Sequence, residues 1–450
     1  MTKIGLEIHI QLENCSSKLF CPCSTKKSSK PNTFVCPICL GMPGSKPAIN
    51  EKAIFSTLKA ALALNFTINS PTFFSRKTYF FPDLAKNYQI TQFETPIGID
   101  GSFLDIKLNR IHLEEDPASL VHNKTNVLVD YNRSGIPLLE VVTAPSIKSG
   151  RQARRFVQEL TRVMEYLGIY TKQSHASLRC DVNVSVPGGK RVEIKNIGSA
   201  YDIEHAIRYE LSLQTKKPTK VQQTKGWNSK KKQTYIQRTK ETESDYGYIT
   251  EPDLPTITFD HQTISKAKTS IPRLATDRVE YYIKTYRISI EDAKTLVAEQ
   301  GLADLFESTA AKVDPRFAAR WIRREVVRVL RYKKKSLDQT KLNSTHLIQI
   351  IKAIKLQKIT VRTGQKFMEE LVKKPFDVKN RISQATSNTK DELTTIIKSI
   401  LKSNLDVVKD YRSGNLKSLH FLIGQVMKKT KGTADPSNIT ITLKKLIKEA

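Results

Sequence analysis

The sequence predicts an α+β protein in which a strand-rich N-terminal part precedes two helical regions. Before about residue 260, apolar and polar residues alternate in several short stretches, which is the period of a half-buried strand. From about residue 271 the apolar residues recur at helical spacing instead. A further group of helical segments begins near residue 391. We therefore expect a mixed or antiparallel sheet domain at residues 1–270, an all-helical domain at 271–390 and a small helical tail domain at 391–450.

The first strand begins almost at the N-terminus. In residues 4–12 the apolar side chains fall on one face, and Glu7, His9 and Gln11 fall on the other. A carboxylate next to an imidazole is a pair of metal-ligand types. Packing alone would equally accept Thr, Lys or Ser there, so the outer face of this strand is a candidate site.

Two later stretches repeat this pattern. Residues 177–185 place Asp181 on a polar face with Arg179, and residues 191–195 place Glu193 on another. We expect the three strands to form one sheet whose acids line a charged cleft.

Four of the six cysteines form two close pairs separated by a polar loop. They are Cys21, Cys23, Cys36 and Cys39. Four thiolates at such spacing hold Zn²⁺ in a tetrahedral site and stabilise a segment that has little core. The alternative is two unrelated pairs of free thiols. We predict a structural zinc knuckle at residues 21–39, and no catalysis there because four protein ligands leave no open position.

Helical periodicity predicts helices at 51–64, 150–167 and 200–214, whereas the polar residues 215–234 form either a mobile loop or an edge hairpin. The residues around Ser289 predict a capping box that opens a helix. Residues 317–335 predict an amphipathic helix with many arginines. Three tail helices are expected, at 392–404, 415–429 and 437–448.

The chain of 450 residues carries a formal net charge of +30. Such an excess favours a polyanionic partner, above all nucleic acid, and the arginines of residues 320–335 suit contacts with phosphates. A solubility surface or a high-salt or hot habitat is the alternative. No apolar run approaches membrane-spanning length, and no leader sequence precedes the first strand, so we expect a cytoplasmic protein without membrane contact.

The candidate metal ligands favour Mg²⁺, although the histidine leaves Mn²⁺ open. No phosphate-binding glycine loop is present, so a bound nucleotide would depend on metal and basic side chains. In residues 110–116, alternation pairs His112 with Glu114 and leaves Glu115 on the apolar side. A bulge before Pro117 could re-aim Glu115. The basic and aromatic residues 75–83 could grip phosphates or a tRNA end, or could form a strand with an exposed polar edge.

Taken together, these motifs resemble the B-subunit family of the glutamine-dependent aspartyl/glutamyl-tRNA amidotransferases along the whole chain. The matching words, in order, are GLEIHIQL, the cysteine knuckle followed by GMPGSKPAIN, RKTYFFPDLAKNYQITQF, IHLEED, VDYNRSGIPLLEVV, SLRCDVNVSV, RVEIKNI, EPDLP and DYRSGNLKSLHFLIGQVMKKTKG.

The resemblance implies a cradle domain with a kinase-like site, a helical domain, and a tail domain that contacts tRNA. It implies a carbon–nitrogen ligase that uses ATP to phosphorylate the side-chain carboxylate of Glu-tRNA(Gln), Asp-tRNA(Asn) or both, and then amidates it with ammonia from glutamine. The A subunit would hydrolyse glutamine and a small C subunit would complete a heterotrimer. The alternative function is a non-catalytic, zinc-containing tRNA- or RNA-binding protein on the same scaffold.

The resemblance also implies residue roles. Lys77 and Arg179 would contact phosphate or substrate, and the four knuckle cysteines would bind zinc. Glu115 rather than Glu114 would join the Mg²⁺ ligands. The implied Mg²⁺ ligands are Glu7, His9, Glu115, Asp181 and Glu193.

Two stretches depart from the family pattern. Relatives usually read Glu-Gly-Ser where this chain has residues 175–177, His-Ala-Ser, which bears on the cleft rim or on amino-acid recognition. They read Asp-Tyr-Arg-Tyr-Phe-Pro where residues 245–250 lack the arginine. Arg238 or Lys240 could replace it.

Overall fold

The structure, a computed structural model, describes residues 2–171, 178–238, 247–430, 434 and 436–449. The chain divides into two compact units, Met1–Leu274 and Ala275–Ala450. The first contains the described strands and the second is helical, which confirms the predicted α+β class. The further division of the helical part near residue 390 stays a prediction; helix α12 below runs through that position.

The first unit combines strands with four helices. Its helices are α1 (Glu51–Ala63), α2 (Gly150–Tyr166), α3 (Ala200–Lys216) and α4 (His261–Thr269). Its strands are β1 (Lys3–Gln11), β2 (Thr67–Ile68), β3 (Ser75–Thr78), β4 (Tyr88–Thr91), β5 (Gly98–Phe103), β6 (Ile106–Glu115), β7 (Ser119–His122), β8 (Val127–Asp130), β9 (Pro137–Thr143), β10 (Leu178–Ser185), β11 (Val192–Ile197), β12 (Gln223–Asn228), β13 (Gln233–Arg238) and β14 (Gly247–Thr250).

A nine-stranded sheet in the order β13-β12-β11-β10-β1-β9-β6-β5-β2 forms the centre of this unit. Adjacent strands in this sheet run antiparallel, except for the parallel pair β11 and β12, so the sheet is mixed. The apolar face of β1 packs with α1, α2 and α3 in the core, where Ile8 and Leu160 are fully buried. The opposite face carries the polar side chains, as the alternation in residues 4–12 predicts. A smaller sheet, β14-β3-β4, and a hairpin of β7 and β8 complete the strands described.

A β-bulge in strand β6 changes which alternate residues point toward the core. Leu108 pairs with Thr143 but Arg110 pairs with Val142, so Asn109 is an extra residue in a β-bulge. Leu108 lies in the core before the bulge, and after it the odd-numbered residues, such as Ile111, lie there instead. The bulge therefore turns the even-numbered residues that follow it to the polar face.

Side-chain caps explain where the predicted helices of this unit begin. Asn50, Ser149 and Ser199 each accept a hydrogen bond from a backbone N–H in the first turn of α1, α2 and α3. These helices end within two residues of the predicted positions. Of the two alternatives for residues 215–234, the hairpin is correct, because β12 and β13 form the edge of the large sheet.

The second unit contains α5 (Ala275–Tyr286), α6 (Ile290–Leu296), α7 (Gln300–Ala310), α8 (Pro315–Trp321), α9 (Val327–Lys333), α10 (Ser344–Lys355), α11 (Val361–Lys373), α12 (Val378–Ser403), α13 (Leu405–Arg412), α14 (Leu416–Lys429) and α15 (Pro436–Glu449). Ser289 caps α6 by accepting a hydrogen bond from the Asp292 N–H, which is one of the two bonds of the predicted capping box. Between α8 and α9 lies a π-helical segment, Ile322–Val326, so the predicted amphipathic helix is continuous but locally widened.

The tail helices differ in part from those that the sequence predicts. α12 begins at Val378 rather than near residue 392, and α13 corresponds to none of the three predicted ranges. α14 and α15 match the predicted ranges within one residue. Buried residues of α12 to α15 form a cluster of their own, which includes Ile397, Leu422 and Leu443.

Candidate functional site

Strand register assembles the candidate site. On the polar face of the large sheet, Glu7 of β1 lies opposite Asp181 of β10, and Asn183 of β10 lies opposite Glu193 of β11. On the other side of β1, His9 lies opposite Glu140 of β9. Neighbouring strands lie roughly 4.8 Å apart, so acids from separate stretches of sequence meet within side-chain reach.

The first cluster, which we call group one, consists of His9, Glu114 and Glu140. The His9 Nε2 atom lies 3.4 Å from a Glu140 oxygen and 3.7 Å from a Glu114 oxygen. His112, opposite Glu140 on β6, adds a second imidazole 3.2 Å from the same Glu140 oxygen. All four side chains are buried or nearly so, so their charges must be offset within the cluster.

The second cluster, group two, consists of Glu7, Asp181 and Glu193. The Lys195 ammonium lies 3.3 Å from Glu193 and 3.7 Å from Asp181. Asp181 also accepts a hydrogen bond of 2.7 Å from the Asn196 backbone N–H. Group two therefore holds three carboxylates with one nearby cation.

The pKa values of both groups reflect a local excess of carboxylate. Burial raises the pKa of Glu7 to about 7, and the carboxylates of Glu140 and Asp181 add to the rise. Burial by itself would lower the pKa of His9, but the Glu140 and Glu114 carboxylates raise it to about 10. Burial likewise opposes ionisation of Glu140, yet the two imidazoles hold its pKa well below the usual range. The carboxylates of both groups thus favour positive charge placed among them.

These donors fit divalent cations. Within each group the ligand atoms lie no more than 4.8 Å from one another. Mg²⁺ takes oxygen ligands at about 2.0–2.1 Å, so two ligands on opposite sides of the ion are roughly 4.2 Å apart. Small side-chain movements would therefore close either group around one ion. The side-chain oxygen of Asn183 is buried without a hydrogen bond in the part of the chain described, and it offers a further oxygen donor beside Glu7.

The structure does not bring Glu115 to the other predicted ligands. Its carboxylate accepts hydrogen bonds from the Lys86 ammonium at 2.7 Å and from the Ile90 backbone N–H at 2.8 Å. Glu115 points away from the polar face because alternation after the bulge leaves odd-numbered residues on the other side. The structure thus groups Glu114, and not Glu115, with His9 and Glu140, as the alternation in residues 110–116 indicates, and a ligand role for Glu115 stays a prediction.

Sequence reasoning also missed Glu140. It lies in β9 among buried apolar residues, and it is 7% exposed. A single acid inside an apolar strand was the available signal, since a buried carboxylate requires a partner. Glu114 gave the same signal beside His112.

The two predicted contact residues line the same cleft, whose volume is about 790 Å³. Arg179 donates a hydrogen bond of 2.6 Å to Asp116, which is fully buried and also accepts one of 2.6 Å from Gln11. Asp116 thus fixes the direction of the Arg179 guanidinium. Lys77, on β3, lies 5.8 Å above the ring of Tyr79. The cleft therefore has an acidic floor and basic side chains around it.

Aromatic side chains also line the cleft. Phe93 and Tyr248 stack with ring centroids 4.0 Å apart, and Phe80 is 92% exposed. Residues 75–78 form β3, the middle strand of the small sheet. That part of the motif is a strand, and the aromatic residues that follow it line the cleft.

A separate cluster contains the sulfur atoms of Cys21, Cys23, Cys36 and Cys39, all within 4.8 Å of one another. Tetrahedral Zn²⁺ with Zn–S bonds of about 2.3 Å places sulfur atoms roughly 3.8 Å apart, so the four fit one zinc ion. A hydrogen bond from Cys21 lowers the pKa of Cys39 to about 4, and the Lys18 ammonium, 3.5 Å away, supports the thiolate.

Both departures from the family pattern fall largely outside the described residues. Residues 175–177 and Lys240 are not described, and neither are residues 245 and 246. Gly247 is described and begins β14, where it pairs with Thr78. Arg238 is the last residue of β13.

Comparison with known proteins identifies the family of this chain. Residues 2–265 match the family model described as the GatB/GatE catalytic domain, and residues 304–447 match the GatB domain. The chain belongs to the GatB/GatE family. This confirms the resemblance found in the sequence motifs.

Curated relatives in this family match over nearly the full length of the chain. One from Sulfolobus acidocaldarius is 38% identical, with 99% of each chain covered, and one from Methanospirillum hungatei is 37% identical, with 99% of this chain and 98% of the relative covered. One from Clostridium botulinum is 36% identical, with 96% of each covered. All three are named as the B subunit of an aspartyl/glutamyl-tRNA(Asn/Gln) amidotransferase. Among the residues described, no helix is both long and apolar enough to cross a lipid bilayer.

Proposed function

We propose that this GatB/GatE chain is the subunit of a tRNA-dependent amidotransferase that activates and amidates the side-chain carboxylate of misacylated Glu-tRNA(Gln), Asp-tRNA(Asn) or both. The observation that carries the proposal is the convergence of groups one and two in one cleft. Six ligand side chains with five carboxylates have no use in a protein that only binds an RNA polyanion, because they repel phosphates. The alternative of a non-catalytic RNA-binding protein is therefore not favoured.

The reaction has two steps. An oxygen of the side-chain carboxylate attacks the γ-phosphorus of ATP, the bond to the β–γ bridging oxygen breaks, and ADP leaves with the electron pair. Ammonia then attacks the carbonyl carbon of the acyl phosphate, the carbon–oxygen bond breaks, phosphate leaves, and the nitrogen loses a proton. The first step joins two anions, and the second needs a good leaving group on carbon.

The residues of the cleft suit the first step. Divalent cations, when bound, would offset the repulsion between nucleotide phosphates and the carboxylate. We assign one ion to His9, Glu114 and Glu140, and another to Glu7, Asp181 and Glu193. Arg179, fixed by Asp116, would orient the substrate carboxylate, and Lys77, which lines the same cleft, would contact phosphate. Binding in one orientation is itself a large part of the rate increase in such reactions.

We propose the further partners on the same basis. An A subunit would release ammonia from glutamine and a C subunit would complete a heterotrimer, in keeping with the designation of the relatives as B subunits. The net charge of +30 suits a tRNA partner. The basic residues between 320 and 335 and the tail helices are the proposed tRNA contacts. Because the proposed reaction acts on aminoacylated tRNA, we place the protein in the cytoplasm. We also propose a structural zinc ion at the cysteine cluster.

The test measures ion binding and amidation on the assembled heterotrimer. Titration with Mn²⁺, followed by electron paramagnetic resonance, should count two strongly bound ions in wild type. Glu140→Gln should remove one and Glu193→Gln the other. Both variants should lose ATP-dependent amidation of Glu-tRNA(Gln) or Asp-tRNA(Asn) by at least 100-fold, about 2.7 kcal/mol of barrier.

Two further variants make the result specific. Glu280→Gln, with a side chain 76% exposed on α5, is the matched control and should change nothing. Glu115→Gln should keep both ions, since Glu115 is held by Lys86. Unchanged Mn²⁺ stoichiometry in Glu140→Gln and Glu193→Gln would contradict the proposed metal site, and wild-type protein that fails to amidate would contradict the function.

A further inference from the structure

Arg110 is a cleft side chain to which the proposed mechanism assigns no role. It lies on β6 and lines the cleft together with His112 and Glu140. Its Nε atom is buried and has no hydrogen-bond partner, and within the described part of the chain the guanidinium forms no ion pair. A buried N–H donor without an acceptor costs free energy unless a bound ligand supplies the partner.

Two other basic side chains of the cleft differ from Arg110 in this respect. Arg179 is bound to Asp116 at 2.6 Å. Lys195 lies between Asp181 and Glu193, at 3.7 and 3.3 Å. Arg110 is thus a cationic group in the cleft that the described protein leaves available for an incoming anion.

The backbone indicates that this placement is built into the sheet. The bulge at Asn109 directly precedes Arg110 and turns it to the polar face; without the extra residue Arg110 would follow the core-facing direction of Leu108. Bulges next to active sites commonly re-aim a side chain in this way. Val142, the cross-strand neighbour of Arg110, lies between it and Glu7, and its apolar side chain offers no partner.

The reaction brings a suitable anion to this position. During transfer the phosphoryl group spreads negative charge over three equatorial oxygens, and in some enzymes of this type an arginine stabilises that charge together with the metal ions. A guanidinium offers paired N–H groups in a planar fork that matches two phosphoryl oxygens. We propose that Arg110 binds the phosphoryl group that passes from ATP to the substrate carboxylate. This inference rests on the proposed function and adds a phosphate-binding residue to the same site.

The experiment compares two nucleotides that differ in the terminal phosphate. Binding of AMPPNP and of ADP, each with Mg²⁺, is measured by calorimetry on the assembled heterotrimer carrying Arg110→Gln. Loss of a charge-assisted contact should weaken AMPPNP roughly 10- to 100-fold, and ADP less than about twofold. Arg110→Lys should fall between wild type and Arg110→Gln, since an ammonium keeps the charge without the fork. Arg154→Gln, an arginine paired with Glu204 outside the cleft, is the matched control and should bind both nucleotides as wild type does.

Three outcomes would overturn the proposal. Equal weakening of AMPPNP and ADP would assign Arg110 to the α- or β-phosphate. A higher KM for aminoacyl-tRNA with unchanged AMPPNP affinity would assign it to a tRNA phosphodiester. Unchanged binding of both nucleotides would leave it without a ligand role. If Arg110→Gln fails to fold, judged by its melting curve and Mn²⁺ binding, the Arg110→Lys comparison decides alone. Wild type that binds AMPPNP through Arg110 yet does not amidate would refute the proposed function and not this inference.

Discussion

Asp116 makes a prediction that can be worked out quantitatively. Its carboxylate is fully buried and accepts hydrogen bonds of 2.6 Å from Arg179 and of 2.6 Å from Gln11. The Arg133 guanidinium lies 3.7 Å away. Asp116→Asn keeps the shape of the side chain but removes its charge, and it places an N–H donor where a carboxylate oxygen accepted. The variant should therefore lose stability and also release Arg179.

The size of the effect follows from burial. Breaking a buried ion pair costs about 3–5 kcal/mol, and a hydrogen bond to a charged group contributes about 1.5–3 kcal/mol. Water can partly solvate the released Arg179, whose side chain is 18% exposed, so the lower part of these ranges applies. We expect Asp116→Asn to lower the free energy of unfolding of the first unit by about 2–3 kcal/mol.

The assay is urea unfolding followed by the fluorescence of Trp227, which lies in the first unit, in a Trp321→Phe background. A double-mutant cycle with Arg179→Gln should give a coupling energy of about 1.5–3 kcal/mol. Asp100→Asn, an exposed carboxylate on β5, is the control and should change stability by less than about 0.5 kcal/mol. A coupling energy near zero between Asp116 and Arg179 would refute the reasoning, because the ion pair would then not fix Arg179.

Two further predictions concern zinc and tRNA. Purified protein should contain one zinc ion per chain, measured by elemental mass spectrometry. Cys39→Ser should lose the zinc and melt at a lower temperature, whereas the control Cys15→Ser should keep it. Zinc retained in Cys39→Ser would contradict the assignment. Replacing both Arg324 and Arg331 with Gln should reduce the slope of log affinity for tRNA against log salt by about 0.7–0.9 per lost phosphate contact. Arg328→Gln should leave that slope unchanged, since Arg328 is paired with Glu325 and Glu369. Equal slopes in wild type and all variants would mean that Arg324 and Arg331 do not contact tRNA.

Local sequence patterns predict the parts of this fold in which local preference and tertiary structure agree. Alternation in residues 4–12 places Glu7 and His9 on the polar face that the structure shows. The helices that Ser149 and Ser199 cap begin where the helical periodicity predicts. The pattern does not predict the start of α12, because residues 383–389 contain Ser, Thr and Asn, which form helices weakly by themselves. Packing of α12 against α10 and α14 overrides that weak preference.

Glu114 and Glu115 show that alternation separates the two faces of a strand, whereas the register of the sheet decides which residues of the neighbouring strands each face meets. The two acids are adjacent in the motif IHLEED, so either of them could be taken as its metal ligand. Which of them reaches His9 depends on the face each occupies, and that depends on a single extra residue, Asn109, several positions earlier in the strand. A one-residue change of register moves every following side chain to the opposite face. Sequence spacing alone does not reveal such a bulge, whereas pairing with β9 determines it.

The distribution of charge bears on the order of events in the cleft. The chain is strongly basic as a whole, yet its cleft floor combines the carboxylates of groups one and two, and these lower the local potential. A polyanionic tRNA would be attracted to the basic surface from a distance. The side-chain carboxylate of the amino acid that it carries, and the phosphates of ATP, would be repelled by the carboxylates of the cleft floor. Divalent ions must therefore be in place before both substrates can approach. Arg179, which Asp116 holds in place, and Arg110 would then retain the anions once the divalent ions are bound.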